Sequence, residues 1–162
     1  MNERTFERLY AEHAGPLLAF LEYRTGDRAL AEDLLADTFE RVLRTRSRFD
    51  PRRAGEKTWL YSIALNLLRD NARRRAAQTR AFERVAASHR GQPAAAELET
   101  LASRDALRAA LARLSDEERE AVALRFGADL TVPQIARLTR ERLTTVEGRL
   151  YRALRKLKDE LD

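Results

Sequence analysis

The sequence predicts an all-α protein: two small helical domains joined by a linker, the second built around a helix-turn-helix. Three observations predict it. Apolar residues recur at three- and four-residue steps almost throughout. No segment sustains the period-two alternation of a strand. The second half is punctuated by helix-start signals. A chain of 162 residues has room for two small domains, and the boundaries expected are 1–78, a linker over 79–100, and 101–162.

Taken in order, Phe6, Leu9, Tyr10, His13, Leu17 and Phe20 line one face of a first helix. Thr25-Gly26-Asp27 breaks it. A second helix places Leu30, Leu34, Leu35, Phe39, Val42 and Leu43 together and ends by Phe49-Asp50-Pro51. A loop over Arg52 to Lys57 leads to a third helix opening at Thr58, with Leu60, Ile63, Ala64, Leu67 and Leu68 inward. From about Arg75 to Thr100 the pattern loosens into an Ala-rich stretch with Ser88, Gly91 and Pro93, which reads as a linker open to proteolysis between Arg80 and Arg90. Ser115 with Glu118, Thr131 with Gln134, and Thr144 with Glu147 each have capping-box spacing. They place helices near 101–113, 116–126, 132–139 and 145–160. A short helix, a tight turn and a longer basic helix make the helix-turn-helix.

The formal charge is +5, from 31 Lys+Arg against 26 Asp+Glu, with Arg the dominant cation. The planar guanidinium suits phosphate and base-edge contacts. With no cysteine, disulfides, thiolate metal sites and cysteine nucleophiles are excluded. His13 and His89 are too few and too far apart for a metal cluster, and neither a metal nor a cofactor is expected. No Gly-rich phosphate loop or nucleophile elbow occurs, so an enzyme is not expected. The longest apolar stretches, such as Pro16–Leu21, fall far short of the ~20 residues that span a bilayer. The expectation is a cytoplasmic protein with no membrane insertion.

Two basic helices are candidates for binding nucleic acid. In the last, Val146, Leu150, Leu154, Leu157 and Leu161 form the expected buried stripe, while Thr145, Arg149, Arg152 and Lys156 step along another face. A short residue near the start can approach base edges, and the cations can meet phosphates. In the third helix Ser62, Asn66, Arg69 and Arg73 share a face, and Arg74 extends the basic end. Trp59 and Tyr61 stand at its start, where an aromatic ring can stack on an unpaired base. The acidic residues Glu32, Asp33, Asp37 and Glu40 on the second helix lack a His partner, and read as a solvated or protein-docking face rather than a catalytic one.

These segments resemble a known family. Asp27 to Val42, DRALAEDLLADTFERV, resembles the polymerase-docking helix of bacterial sigma factors, and Arg48-Phe49-Asp50-Pro51 follows as it does there. Thr58 to Asp70 followed by Arg73-Arg74-Arg75 looks like the promoter-melting, −10-reading helix. Leu114-Ser115 through Phe126, Ile135-Ala136, and Thr145-Val146 through Leu154 look like the −35-reading domain. The match runs in order through both halves and identifies a member of the extracytoplasmic-function (ECF) type. What the resemblance implies is a non-catalytic factor that binds core RNA polymerase and directs it to promoter DNA. Glu32, Asp33, Asp37 and Glu40 would face the polymerase. Trp59, Ser62, Asn66, Arg69, Arg73 and Arg74 would meet the −10 element. Thr145, Arg149, Arg152 and Lys156 would meet the −35 element. An anti-sigma factor is the further partner implied.

The sequence departs from the family pattern at the helix-turn-helix turn, where Arg140, Glu141 and Arg142 replace the usual Gly, apolar and small capping residues. Glu147 stands where a cation is usual, beside Gly148, and is expected to cap the helix. Ala36 stands where the docking helix commonly has Gln. The competing reading is a sigma-like regulator that binds polymerase or another protein without reading a −35 element. A generic helix-turn-helix repressor would account for the second half but not the first.

Overall fold

The computed structural model describes residues 1–81 and 98–162. The expected linker falls largely on 82–97, and its structure and its proteolysis lie outside the described residues. The described residues form helices and no strand, as the periodicity predicts. The chain divides into two compact units, Met1–Gly91 and Gln92–Asp162.

The first unit packs three helices, α1 (Glu3–Thr25), α2 (Arg28–Thr45) and α3 (Glu56–Ala81), all against one another. Asn2 caps α1 by accepting from the Thr5 N–H. Gly26 ends that helix at φ 66°, where its N–H donates to the Glu22 carbonyl, a left-handed turn that glycine adopts without Cβ strain. Asp27 then caps α2 by accepting from the Leu30 N–H. The core is Leu9, Leu17, Phe20 and Leu21 from α1, Ala31, Leu34, Phe39 and Val42 from α2, and Leu60, Tyr61, Ala64, Leu65 and Leu68 from α3.

Burial departs from the expected stripes in detail. Leu43 is exposed, and the buried side of α2 runs Ala31, Leu34, Thr38 and Val42. Thr38 is tolerated there because its hydroxyl donates to the Leu34 carbonyl. In α3 the buried face is rotated toward Tyr61 and Leu65, leaving Ile63 and Leu67 half-buried. A helix touched by two neighbours, α1 and α2, buries a wider arc than one apolar stripe defines. Helix α2 ends at Thr45 and passes through a 3₁₀ turn, Arg46–Arg48, before Phe49 becomes extended.

In the second unit α7 (Leu143–Leu161) packs against α4 (Leu98–Ala112), α5 (Asp116–Val122) and α6 (Val132–Thr139). Capping boxes open α5 at Ser115 and α6 at Thr131, as the spacing predicts. A π-helical turn, Ala123–Gly127, continues α5, with the Ala128 N–H reaching the Ala123 carbonyl. The buried stripe of α7 is Val146, Leu150 and Ala153, with Leu157 half-buried. Leu154 and Leu161, expected inward, are 44% and 50% exposed. Steps of four, three and four from Val146 keep a straight helix facing its partners, whereas repeated steps of four drift around it.

Candidate nucleic-acid interface

In the first unit the interface candidates follow from how α3 is fixed at its start. Arg8 of α1 donates to both carboxylate oxygens of Glu56, at 2.9 and 2.7 Å. The Trp59 ring packs on Phe49, with centroids 5.0 Å apart, which seats the preceding loop against α3. At about 100° per residue, Trp59, Ser62, Asn66 and Arg73 then lie within one arc opposite Tyr61, Ala64 and Leu68. Trp59 is half-buried and Asn66, Arg73 and Arg74 are exposed. Asn66 and Arg74 make no hydrogen bond or ion pair among the described residues. Arg73 lies 3.6 Å from Asp70 while remaining largely exposed. Ser62 is turned back, its hydroxyl donating to the Trp59 carbonyl at 2.5 Å. Arg69 is half-buried and engaged by a neighbour. The arc therefore offers an aromatic ring, an amide with both donors and an acceptor, and exposed guanidinium groups, which is what stacking and base-edge contact require.

Tyr61, expected beside Trp59, is instead core. It is fully buried with its ring edge-on to Phe20 at 5.5 Å. Burial pushes its phenol up to about 12, and the hydroxyl has no hydrogen-bond partner. Two residues on from Trp59, it has turned some 200° around the helix.

The four acidic candidates on α2 are all exposed. Glu32 is paired with Arg28 at 3.0 Å, and Glu40 with Arg44. Asp33 and Asp37, one turn apart, carry no ion pair among the described residues. These two carboxylates keep their charge available to an outside cation.

The turn between α6 and α7 has only three residues. Arg140 adopts the left-handed conformation at φ 58° and ψ 38°. Its N–H reaches the Arg137 carbonyl, and the Glu141 N–H reaches the Ala136 carbonyl at 3.0 Å, the two bonds of a Schellman motif. Arg140 thus takes the backbone role usually given to glycine. Arg142 is extended and becomes the N-cap of α7, without a side-chain cap. The expected Thr144–Glu147 capping box is therefore absent. The reversal is complete at Arg140, so the helix starts at Leu143 and Thr144 is already inside its first turn. Glu147 is exposed on the second turn.

The cations of α7 divide sharply. Arg149 donates to both oxygens of Glu141, at 2.8 and 2.6 Å, and its side chain is only 16% exposed. That pair, with Glu117 and Glu120 nearby, raises its pKa and fixes its charge. Lys156 donates to both oxygens of Glu118, each at 3.0 Å. Glu118 also completes the Ser115 capping box, so one carboxylate ties α5 to α7. Sequence spacing groups Arg149 and Lys156 with Thr145 and Arg152, but these two face the domain's own acids. Thr145, Arg152 and Arg155 are exposed, and Arg152 and Arg155 make no ion pair among the described residues. Gly148, on the outer side of α7, leaves room beside the Arg152 guanidinium: a Cβ there would stand 3.3 Å from it. Arg140 and Arg142, which the spacing argument passed over as DNA contacts, are exposed cations at the start of α7. Only the backbone reversal at Arg140 brings them there.

No cluster of His, Cys, Asp or Glu fit to hold a metal occurs among the described residues. No described helix is long and apolar enough to cross a membrane.

Comparison with known proteins agrees with this division. Residues 9–78 match the family model of sigma-70 region 2, and residues 104–157 match that of sigma-70 region 4. The ECF RNA polymerase sigma factor BldN of Streptomyces coelicolor is 34% identical over 94% of this chain, which spans 58% of BldN. The ECF RNA polymerase sigma factor SigL of Mycobacterium tuberculosis is 30% identical over 93% of this chain and 85% of SigL. In fold, the chain resembles sigma factor RpoE of Bartonella quintana, crystallised with the anti-sigma factor NepR. The TM-score is 0.77 at 23% identity, over 98% of this chain and 97% of that one. Region 2 and region 4 units in order, with SigL matched at 30% identity over 85% of its length, place the chain in the family of ECF RNA polymerase sigma factors.

Proposed function

We propose that this chain binds core RNA polymerase and directs it to promoter DNA, acting in the cytoplasm and without catalysis of its own. The observation that carries the reading is the arc on α3. It brings a half-buried Trp59 together with exposed Asn66, Arg73 and Arg74, in the unit that also exposes Asp33 and Asp37, which carry no ion pair among the described residues. In this reading Glu32, Asp33, Asp37 and Glu40 meet polymerase, with Asp33 and Asp37 carrying most of the attraction. Trp59 and Asn66 meet bases of the −10 element, and Ser62, Arg69, Arg73 and Arg74 position its backbone. Helix α7 enters the major groove of the −35 element with Thr145 and Arg152 foremost. An anti-sigma factor is the further partner, in line with the family and with the partner of RpoE.

The test is reconstitution with purified core polymerase and selection of promoter fragments. Holoenzyme should initiate from the selected fragments, and core alone should not. Asn66→Ala should change preference among −10 sequences by roughly 1–3 kcal/mol. Equal loss on every sequence would assign Asn66 a positioning role instead. A second reading, a sigma-like regulator that does not read −35 DNA, draws support from the ion pairing of Arg149 and Lys156. It predicts transcription that is indifferent to the −35 sequence.

A further inference from the structure

The Arg140-Glu141-Arg142 turn bears on which cations of α7 are left for phosphate. Non-specific affinity comes from cations that neutralise phosphates on any sequence, whereas discrimination comes from base edges and shape. Every extra phosphate-bound cation therefore strengthens the wrong sites as well as the right one. Arg149 follows Thr145 by four residues and precedes Arg152 by three, so it stands on the flank of α7 that also bears these exposed residues. Its guanidinium nevertheless lies against Glu141 in a two-pronged pair, with side chains only 16% and 28% exposed. Such fork-to-carboxylate pairs are strong and geometrically exact in their demands. Glu141 sits in the turn itself, locked by its N–H bond to the Ala136 carbonyl.

We propose that Glu141 is a positioning residue that sets the sequence-independent affinity of α7: by holding Arg149 it withholds one cation from the phosphate backbone. This rests on the reading of α7 as the major-groove helix. Glu141 itself touches no base. It acts through Arg149, by lowering affinity for all sequences alike and leaving the groove-facing residues to discriminate.

The test compares variants of the full chain, bound to core polymerase, on two duplexes: one selected by the wild type from a random pool, and the same bases scrambled. Binding is measured across a salt series. Glu141→Gln keeps the shape of the side chain but frees the charge of Arg149. It should steepen the slope of log affinity against log salt by about 0.9, the value of one neutralised phosphate. Affinity for both duplexes should rise severalfold, with the ratio of selected to scrambled unchanged, because a phosphate contact does not depend on sequence. Arg149→Gln should leave the wild-type slope unchanged, and the double variant should return to it. A merely structural role for the pair would lower stability without moving the slope. A wild-type slope flattened by Arg149→Gln, or an unchanged slope in Glu141→Gln at full helix content, overturns the proposal. Arg152→Ala separates the two levels. If it weakens binding while Glu141→Gln changes nothing, only the role of Glu141 falls. If Arg152→Ala also changes nothing, α7 is not on the DNA, and both readings fall together.

Discussion

Helices α3 and α7 are both long, amphipathic and basic at their ends, and their sequences offer a similar menu of Arg beside small polar residues. In α3 the polar arc keeps side chains unengaged: Asn66 and Arg74 have no side-chain partner among the described residues. In α7 the cations closest to the buried stripe are taken by Glu141 and Glu118. The same residue type thus does two jobs. An arginine beside solvent keeps its donors for an outside anion, and one beside a half-buried carboxylate is a strut. The difference lies in the neighbour, since a pair shielded from water is screened less than one in solvent.

The contrast can be broken at several points. The largest effect is expected at the open acidic face. Reversing both Asp33 and Asp37 to Lys places like charges against a basic partner surface. It should cost roughly 3 kcal/mol, more than a hundredfold in affinity for core polymerase, with the helix content unchanged. Retained affinity on a size-exclusion or pull-down titration would show that the exposed acids of α2 are only solvated.

The strut in the second unit should matter for stability instead. Glu118→Ala removes one of the two capping-box bonds, the one its carboxylate accepts from the Ser115 N–H, worth about 1 kcal/mol. It also removes an ion pair whose lysine is 48% exposed, so that no more than about 1 kcal/mol is added. Denaturant unfolding of the second unit should shift by about 2 kcal/mol. Lys156→Ala alone should recover only the smaller part. Equal losses from the two variants would mean that the ion pair, and not the cap, dominates.

Arg140→Gly should act in the opposite direction. A left-handed conformation costs a residue with a Cβ about 1 kcal/mol that glycine avoids. Thermal unfolding should show a gain of somewhat less than that, because glycine also loosens the unfolded chain. A loss would mean that the Arg140 side chain makes a stabilising contact stronger than its backbone strain.

The smallest effect is a pH dependence in the first unit. Burial of His13 lowers its pKa below the usual 6.5, against the pull of Glu12 and Glu56, with Lys57 and Arg8 adding repulsion. The unfolded chain then binds the proton more readily than the folded one. Stability should be full above 6.5 and decline as pH falls through the window just below it. His13→Gln should flatten that slope in a series of unfolding curves. A wild-type curve already flat there would place the imidazole in solvent.

How much of this was legible beforehand depends on the kind of signal. The helical class, the glycine stop at Gly26, the capping boxes at Ser115 and Thr131, and the polar arc of Asn66 and Arg73 are local, set by residues three or four apart. By itself the sequence determined these, and also the family, because long motifs keep their order along the chain. The 3₁₀ turn after α2, the π turn after α5 and the rotation of the α3 core toward Tyr61 depend on what each helix packs against. The absent cap at Thr144 was decided by a backbone reversal at Arg140, where the sequence offers no glycine to announce it. The partners of Arg149 and Lys156 lie 8 and 38 residues away in the chain. Periodicity assigns a residue to a face, but only the folded domain brings a distant carboxylate to that face. Only the tertiary structure decided which cations are tied to the domain's own acids, because an ion pair is a property of distance in space and of shielding from water.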